Sequence, residues 1–243
     1  MRRTHIVILT VFLLLPTAQA DALVRLFFDS QGNLRASSPA KVTGTLSARA
    51  AGPSVPAGTV LRRDFSYDFF PVSGRTFSEV VESAEGNGPV SRDTGRRFPS
   101  RLDWSFSLSY DYEYTYEINE EDGTVHVALD IHEVKVAGDF AVTLPTLIDS
   151  TPLNPVEQDL WKSYIRGLLA SEYGKADIIA DPEVSDRAAE DLKEITYIIF
   201  EYKDDAEIER TVTRFLREEA VRVGRETAQA IRERLAGYGS KEK

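Results

Sequence analysis

Leu102-Asp103-Trp104-Ser105-Phe106-Ser107-Leu108-Ser109-Tyr110-Asp111-Tyr112-Glu113-Tyr114-Thr115-Tyr116-Glu117-Ile118 sets a large apolar or aromatic side chain at every even position and a polar one at every odd position. A period of two predicts a strand with one buried and one wet face, as in an antiparallel sheet. At about 3.4 Å per residue the run is longer than ordinary strands, so a bulge or bend is expected partway. Glu120-Glu121-Asp122-Gly123 supplies a hairpin turn. The return strand then carries Val125, Val127, Leu129 and Ile131 on the buried face and His126, Ala128, Asp130 and His132 on the other.

Upstream of this hairpin, Phe65, Tyr67 and Phe69 alternate with polar residues and predict a strand ending near Pro71. Thr76 with Glu79 three residues on predicts a capped helix with Phe77, Val80, Val81 and Ala84 on one face, stopped by Gly86-Asn87-Gly88-Pro89. Between about Ser30 and Thr59 the chain turns to Ser, Ala, Gly and Pro. It reads as a loop-rich leader with one short strand at Lys41 to Leu46, and Leu23 to Phe28 before it can add a strand to the downstream domain.

Beyond the hairpin, the period becomes helical. Asn154-Pro155-Val156-Glu157 is a start signal for a helix carrying Val156, Leu160, Trp161, Tyr164, Leu168 and Leu169, which must end by Asp181-Pro182. A second helix is predicted from about Ser185 to Tyr202 and a third from about Asp204 to Leu235. Strands first and helices after predict an α+β protein: an N-terminal antiparallel sheet with one short helix, then three C-terminal helices. The expected organisation is a leader over 21–60, an α+β unit over 61–180 and a helical extension packed on it over 181–243.

Residues 1–20 have the form of a cleaved secretory signal: Arg2 and Arg3, an apolar run from Ile6 to Leu15, and the small-residue site Ala18-Gln19-Ala20. The run is shorter than the roughly 20 apolar residues of a spanning helix, so no membrane span is expected after cleavage. The expected location is the periplasm or the outside of the cell. Cleavage removes two arginines and no acids, taking a net charge of -10 to -12. That sign argues against nucleic acid as a partner. With no cysteine, neither a disulfide, a lipid anchor at cysteine nor a cysteine nucleophile is available. No P-loop or dinucleotide fingerprint occurs, and nothing singles out a serine-histidine-acid triad.

Tyr67-Asp68-Phe69-Phe70-Pro71-Val72-Ser73-Gly74-Arg75-Thr76, the aromatic hairpin, Leu144-Pro145 and Leu168-Leu169-Ala170-Ser171-Glu172-Tyr173-Gly174-Lys175-Ala176 occur in an order that resembles a bacterial family of predicted secreted zinc-dependent proteases, formerly a domain of unknown function. The resemblance covers about Asp64 to Ala180. It implies a zincin-like helix carrying His-Glu-x-Gly-His, with two imidazoles at i and i+4 as zinc ligands and the glutamate as general base. Here the corresponding residues are Ser171-Glu172-Tyr173-Gly174-Lys175, so glutamate and glycine match and both histidines are replaced. Serine is a poor zinc ligand, and a protonated lysine repels a cation.

The resemblance implies zinc, with Glu172 at the general-base position; the departures at Ser171 and Lys175 make the ligand positions degenerate, leave Glu172 without a metal-bound water and lead to the expectation of no bound zinc. Two readings of Glu172 and Lys175 stay open: a pair in which lysine charge replaces metal charge, or an ordinary exposed i, i+3 pair. His126 and His132 lie about 20 Å apart on one strand, and Asp130 with His132 makes only two ligands of a weak site. The expected function is that of a non-catalytic envelope protein that binds or assembles with an envelope protein or peptide. The rival is an active metallopeptidase or hydrolase with an unorthodox site around Glu172. Tyr110, Tyr112, Tyr114 and Tyr116 are expected in the core rather than as a ligand platform.

Overall fold

The structure, a computed structural model, describes residues 24–36, 55–56, 59–91, 95–148 and 151–239. The signal-like segment 1–20 and the strand expected at Lys41 to Leu46 lie outside the described residues. Six strands and four helices are described: β1 (Val24–Asp29), β2 (Leu34–Arg35), β3 (Phe65–Val72), α1 (Phe77–Asn87), β4 (Arg101–Asn119), β5 (Thr124–Leu147), α2 (Pro155–Ile179), α3 (Pro182–Lys193), β6 (Tyr197–Glu201) and α4 (Asp205–Gly239). The strands form one curled, mostly antiparallel sheet in the order β2-β1-β4-β5-β3, with β6 also on β5. No helix among the described residues is long and apolar enough to cross a membrane.

β4 and β5 build the long hairpin that the alternation predicts, closed by Gly123 at φ 68. Residues 106, 108, 110, 112 and 114 of β4 are buried. The expected irregularity is present, but the extra residue sits on the partner: Ser109 pairs with Lys135 while Asp111 pairs with His132. Glu133 takes up the excess in a left-handed conformation at φ 51. One inserted residue reverses the parity of β5. Its core face therefore runs through Val125, Val127, Leu129 and Ile131 before the bulge and through Val142 and Leu144 after it. β5 consequently extends well past the short return strand expected from the hairpin alone.

Two expectations are corrected. β3 lies parallel to β5, with Phe65 opposite Phe140 and Val72 opposite Leu147, so the sheet is not wholly antiparallel. The parallel pairing is possible because α1 and β4 intervene between β3 and β5, giving the chain room to return in the same direction. The second helix does not reach Tyr202. It ends at Lys193, and Tyr197-Ile198-Ile199-Phe200-Glu201 joins the β5 edge as β6, with Ile198 buried and Ile199 about half exposed. A run of β-branched and aromatic residues suits a pleated edge better than a helix. Helix after helix is thus interrupted by one returning strand.

The helices cover one face of the sheet. α4 packs Ile208, Val212, Leu216, Ala220 and Val223 into a core with Leu26 and Phe28 of β1 and the buried tyrosines of β4. The tyrosine stripe is therefore core: Tyr110, Tyr112 and Tyr114 are 1%, 3% and 7% exposed. α2 sets Trp161, Ile165, Leu169 and Ala176 against Phe65, Val142 and Leu144 in a second cluster. The start signals work as read. Asn154 and Glu157 form a complete capping box on α2, and Thr76 accepts from the Glu79 amide at the start of α1. Glu157 also accepts from the Phe77 amide at 3.1 Å, tying the two helix starts together.

Candidate functional site

The buried stripe of α2 runs Trp161, Ile165, Leu169, Glu172, Ala176, Ile179, in steps of three and four residues. That is the spacing of one helical face, and one of its members is a carboxylate. Val156 and Leu160, expected on this face, are exposed instead. Glu172 is 1% exposed. A carboxylate so deeply placed is costly unless its charge and lone pairs are matched. Both needs are met locally. The Lys175 ammonium donates to Oε1 and Oε2 at 3.0 Å each, and the Ser100 hydroxyl donates to Oε1 at 2.6 Å. The Lys175 side chain retains 36% exposure, so its stem covers the carboxylate while part of it stays in water. This is not the ordinary exposed pair that was one of the two readings.

The adjoining residues fix this part of α2. The Tyr173 and Tyr67 hydroxyls are 2.6 Å apart, and the Arg62 amide donates to both. The Arg62 guanidinium bonds Asp177 at 2.7 Å and Asp64 at 3.2 Å while lying over the Phe65 ring. Gly174 has a packing reason: a Cβ there would lie 2.5 Å from the Tyr238 hydroxyl near the end of α4. Ser171 sits half-buried beside Glu172. Ser100, 72 residues away in sequence and just before β4, is the partner that sequence reading missed. A glutamate on an otherwise apolar i, i+3, i+4 stripe was the signal that some such partner had to exist.

The histidines are not part of this cluster. They lie on the opposite face of the sheet, the one the helices leave uncovered. His126 Nδ1 meets the Tyr197 hydroxyl, and its Nε2 lies 3.1 Å from Thr124 Oγ1. His132 pairs across to Asp111, and Asp130 is exposed. Among the described residues no group of three or more His, Cys, Asp or Glu side chains is placed to hold a metal ion. The donor set around Glu172 does not fit zinc, because an ammonium and a hydroxyl already occupy the carboxylate and no imidazole adjoins it.

Several tyrosines in the packed regions resist ionisation. Burial, followed by the charge of Glu85, pushes the Tyr164 hydroxyl up to about 12. Burial first and then the bond to Tyr173 raise Tyr67, and burial likewise raises Tyr110. The ordinary value, near 10, applies in the unfolded chain. Each group thus binds its proton more tightly when folded, so its contribution is complete below about pH 10 and is lost as pH rises through the folded value. The melting temperature is expected to fall from about pH 10 upward. Tyrosinate absorbance should show an early step from exposed rings and a late step that coincides with unfolding. A single step near pH 10 with the fold intact would contradict these placements.

A model of a bacterial family matches residues 67–197; it is described as "Bacterial protein of unknown function (DUF922)". No curated protein and no solved structure matches the chain.

Proposed function

The chain belongs to the bacterial DUF922 family, and from that premise we propose that it is an exported zinc-protease-like protein whose metal site is degenerate and whose role is binding or assembly in the cell envelope. The observation that carries this reading is the Glu172 carboxylate, 1% exposed and held on both oxygens by Lys175. The zinc-protease resemblance places a general base at Glu172 and zinc ligands at 171 and 175. A general base must reach a water or substrate proton within hydrogen-bond distance. This carboxylate is instead enclosed and saturated by Lys175 and Ser100. Lysine in place of the second ligand puts one positive charge where two would have come from zinc, so the helix keeps a compensated glutamate without the metal. The partner is then an envelope protein or peptide, and the protein acts by contact rather than by hydrolysis. Export rests on the signal-like residues 1–20.

The test is zinc content per mole of purified protein after exposure to zinc and removal of excess, beside the Ser171→His, Lys175→His double variant. Wild type is expected to retain less than about 0.1 equivalent, since neither residue offers a closed tetrahedral set. The double variant, if its circular dichroism is native, should gain zinc. One tightly held equivalent in the wild type would overturn the reading and return the protein to the active metallopeptidases.

A further inference from the structure

Three strands bound the sheet among the described residues: β2, β3 and β6. They are not equally guarded. β2 is two residues long and ends in the exposed Arg35. β3 carries an exposed Asp68 and Pro71, which has no amide proton to offer. Shortness, charge and proline are the devices by which an edge discourages further pairing. β6 has none beyond a single terminal charge: Tyr197-Ile198-Ile199-Phe200-Glu201 runs five residues without proline, lysine or bulge. A β-branched and aromatic run of this kind is well disposed to accept another strand.

The direction of each main-chain group in β6 follows from the ladder. The Leu129 amide donates to the Thr196 carbonyl at 2.9 Å, and the Tyr202 amide donates to the Gly123 carbonyl at 2.8 Å. Even-numbered residues of this segment therefore turn their main-chain groups toward β5, and the odd ones turn theirs away. The N–H and C=O of Tyr197, Ile199 and Glu201 point outward and have no hydrogen-bond partner among the described residues. The side chains of the same residues stand on the sheet face that the helices leave uncovered. Ile199 is 55% exposed and Tyr197 50%, the latter leaning on the His126 ring. One edge thus joins free main-chain groups to exposed apolar surface.

We propose that β6 is the contact by which two copies of this chain associate, pairing edge to edge in an antiparallel ladder about a two-fold axis at Ile199. The edge is self-complementary in that register. Ile199 lies opposite the partner's Ile199, and Tyr197 lies opposite the partner's Glu201, so the outward groups exchange up to about six hydrogen bonds. Each Glu201 meets a tyrosine rather than the other carboxylate, whereas a register centred on Glu201 would oppose two like charges. So short an edge gives an interface below the roughly 1,200 Å² of standard contacts, and the dimer is accordingly weak and reversible. The contact lies apart from Glu172 and does not rest on the zinc-protease-like reading.

Sedimentation equilibrium of the purified protein between about 5 and 500 µM, at about 0.15 M salt, should show monomer and dimer with Kd of about 10–200 µM. Ile199→Pro removes an amide that faces away from β5. It should keep the native circular dichroism spectrum and weaken the dimer at least about tenfold. Ile199→Lys and Ile199→Glu should each be monomeric alone, because like charges then face one another across the axis, and an equimolar mixture of the two should regain the dimer. Recovery on mixing is particular to a residue that opposes itself, and misfolded variants would not produce it. A wild type that stays monomeric to about 500 µM would overturn the proposal and leave the edge to a strand of another protein. A dimer that persists in all three variants, or a mixture that associates no better than its components, would overturn it equally.

Discussion

Lys175→Met is expected to cost about 3 kcal/mol of folding stability, measured by urea unfolding at neutral pH, because it leaves the Glu172 carboxylate buried without its cation. The range for breaking a buried pair by removing one partner is about 3–5 kcal/mol, and the partial exposure of Lys175 argues for its lower end. Glu172→Gln should cost less, about 1 kcal/mol. The amide can still accept from Ser100, and the released ammonium can turn to water. The informative variant is the double one. Glu172→Gln with Lys175→Met removes both charges and should recover most of the loss, to within about 1–2 kcal/mol of wild type. A Lys175→Met protein as stable as wild type would mean that Glu172 does not depend on Lys175. The charge-compensation argument for the proposed function would then fail with it.

Gly224→Ala is expected to lower stability by about 2 kcal/mol, although alanine is the better helix former by about 1 kcal/mol. The reason lies across the core. A Cβ at 224 would overlap Cζ and Cε1 of the Phe28 ring. Phe28 is fully buried and stacked on Phe106 with ring centroids 5.1 Å apart, so it has nowhere to go. Gly167→Ala supplies the contrast. That glycine is on α2 with nothing within 4 Å of a new Cβ, so the same change there should stabilise by about 0.5–1 kcal/mol. Phe28→Leu combined with Gly224→Ala should be less damaging than the two single losses summed, because the shorter side chain makes room for the methyl group. Equal effects of alanine at 224 and 167 would show that α4 does not approach β1 as described.

The close contact of Gly224 with Phe28 also explains how the N-terminal strand belongs to the fold. β1 pairs along β4 from Val24 opposite Tyr110 to Asp29 opposite Ser105, and Phe28 carries that pairing into the α4 core. A short N-terminal segment thus ends up as an inner strand of the sheet, between β2 and β4.

Short-range chemistry was legible in the amino-acid order. The alternation of Leu102 to Ile118 specified a strand and its buried face. Gly123 marked the hairpin turn, and Thr76 with Glu79 and Asn154 with Glu157 marked two helix starts, because each signal acts between residues at most a few positions apart. The proximity of Lys175 to Glu172, one turn away, was legible for the same reason. Other features depended on contacts between distant segments. Tyr197 to Glu201 became β6 because the β5 edge at Thr124 to Ala128 offered a partner that no local pattern could announce. Glu133 took the bulge because the two strands had to keep matching apolar faces in register over their whole length, a condition on pairs of residues rather than on either strand. Glu172 turned out buried rather than exposed because α2 lays that face on the sheet and Ser100 arrives from the start of β4 to meet it. Burial and partnership are properties of pairs of segments far apart in the chain, and they come into being only when the helices close over the sheet.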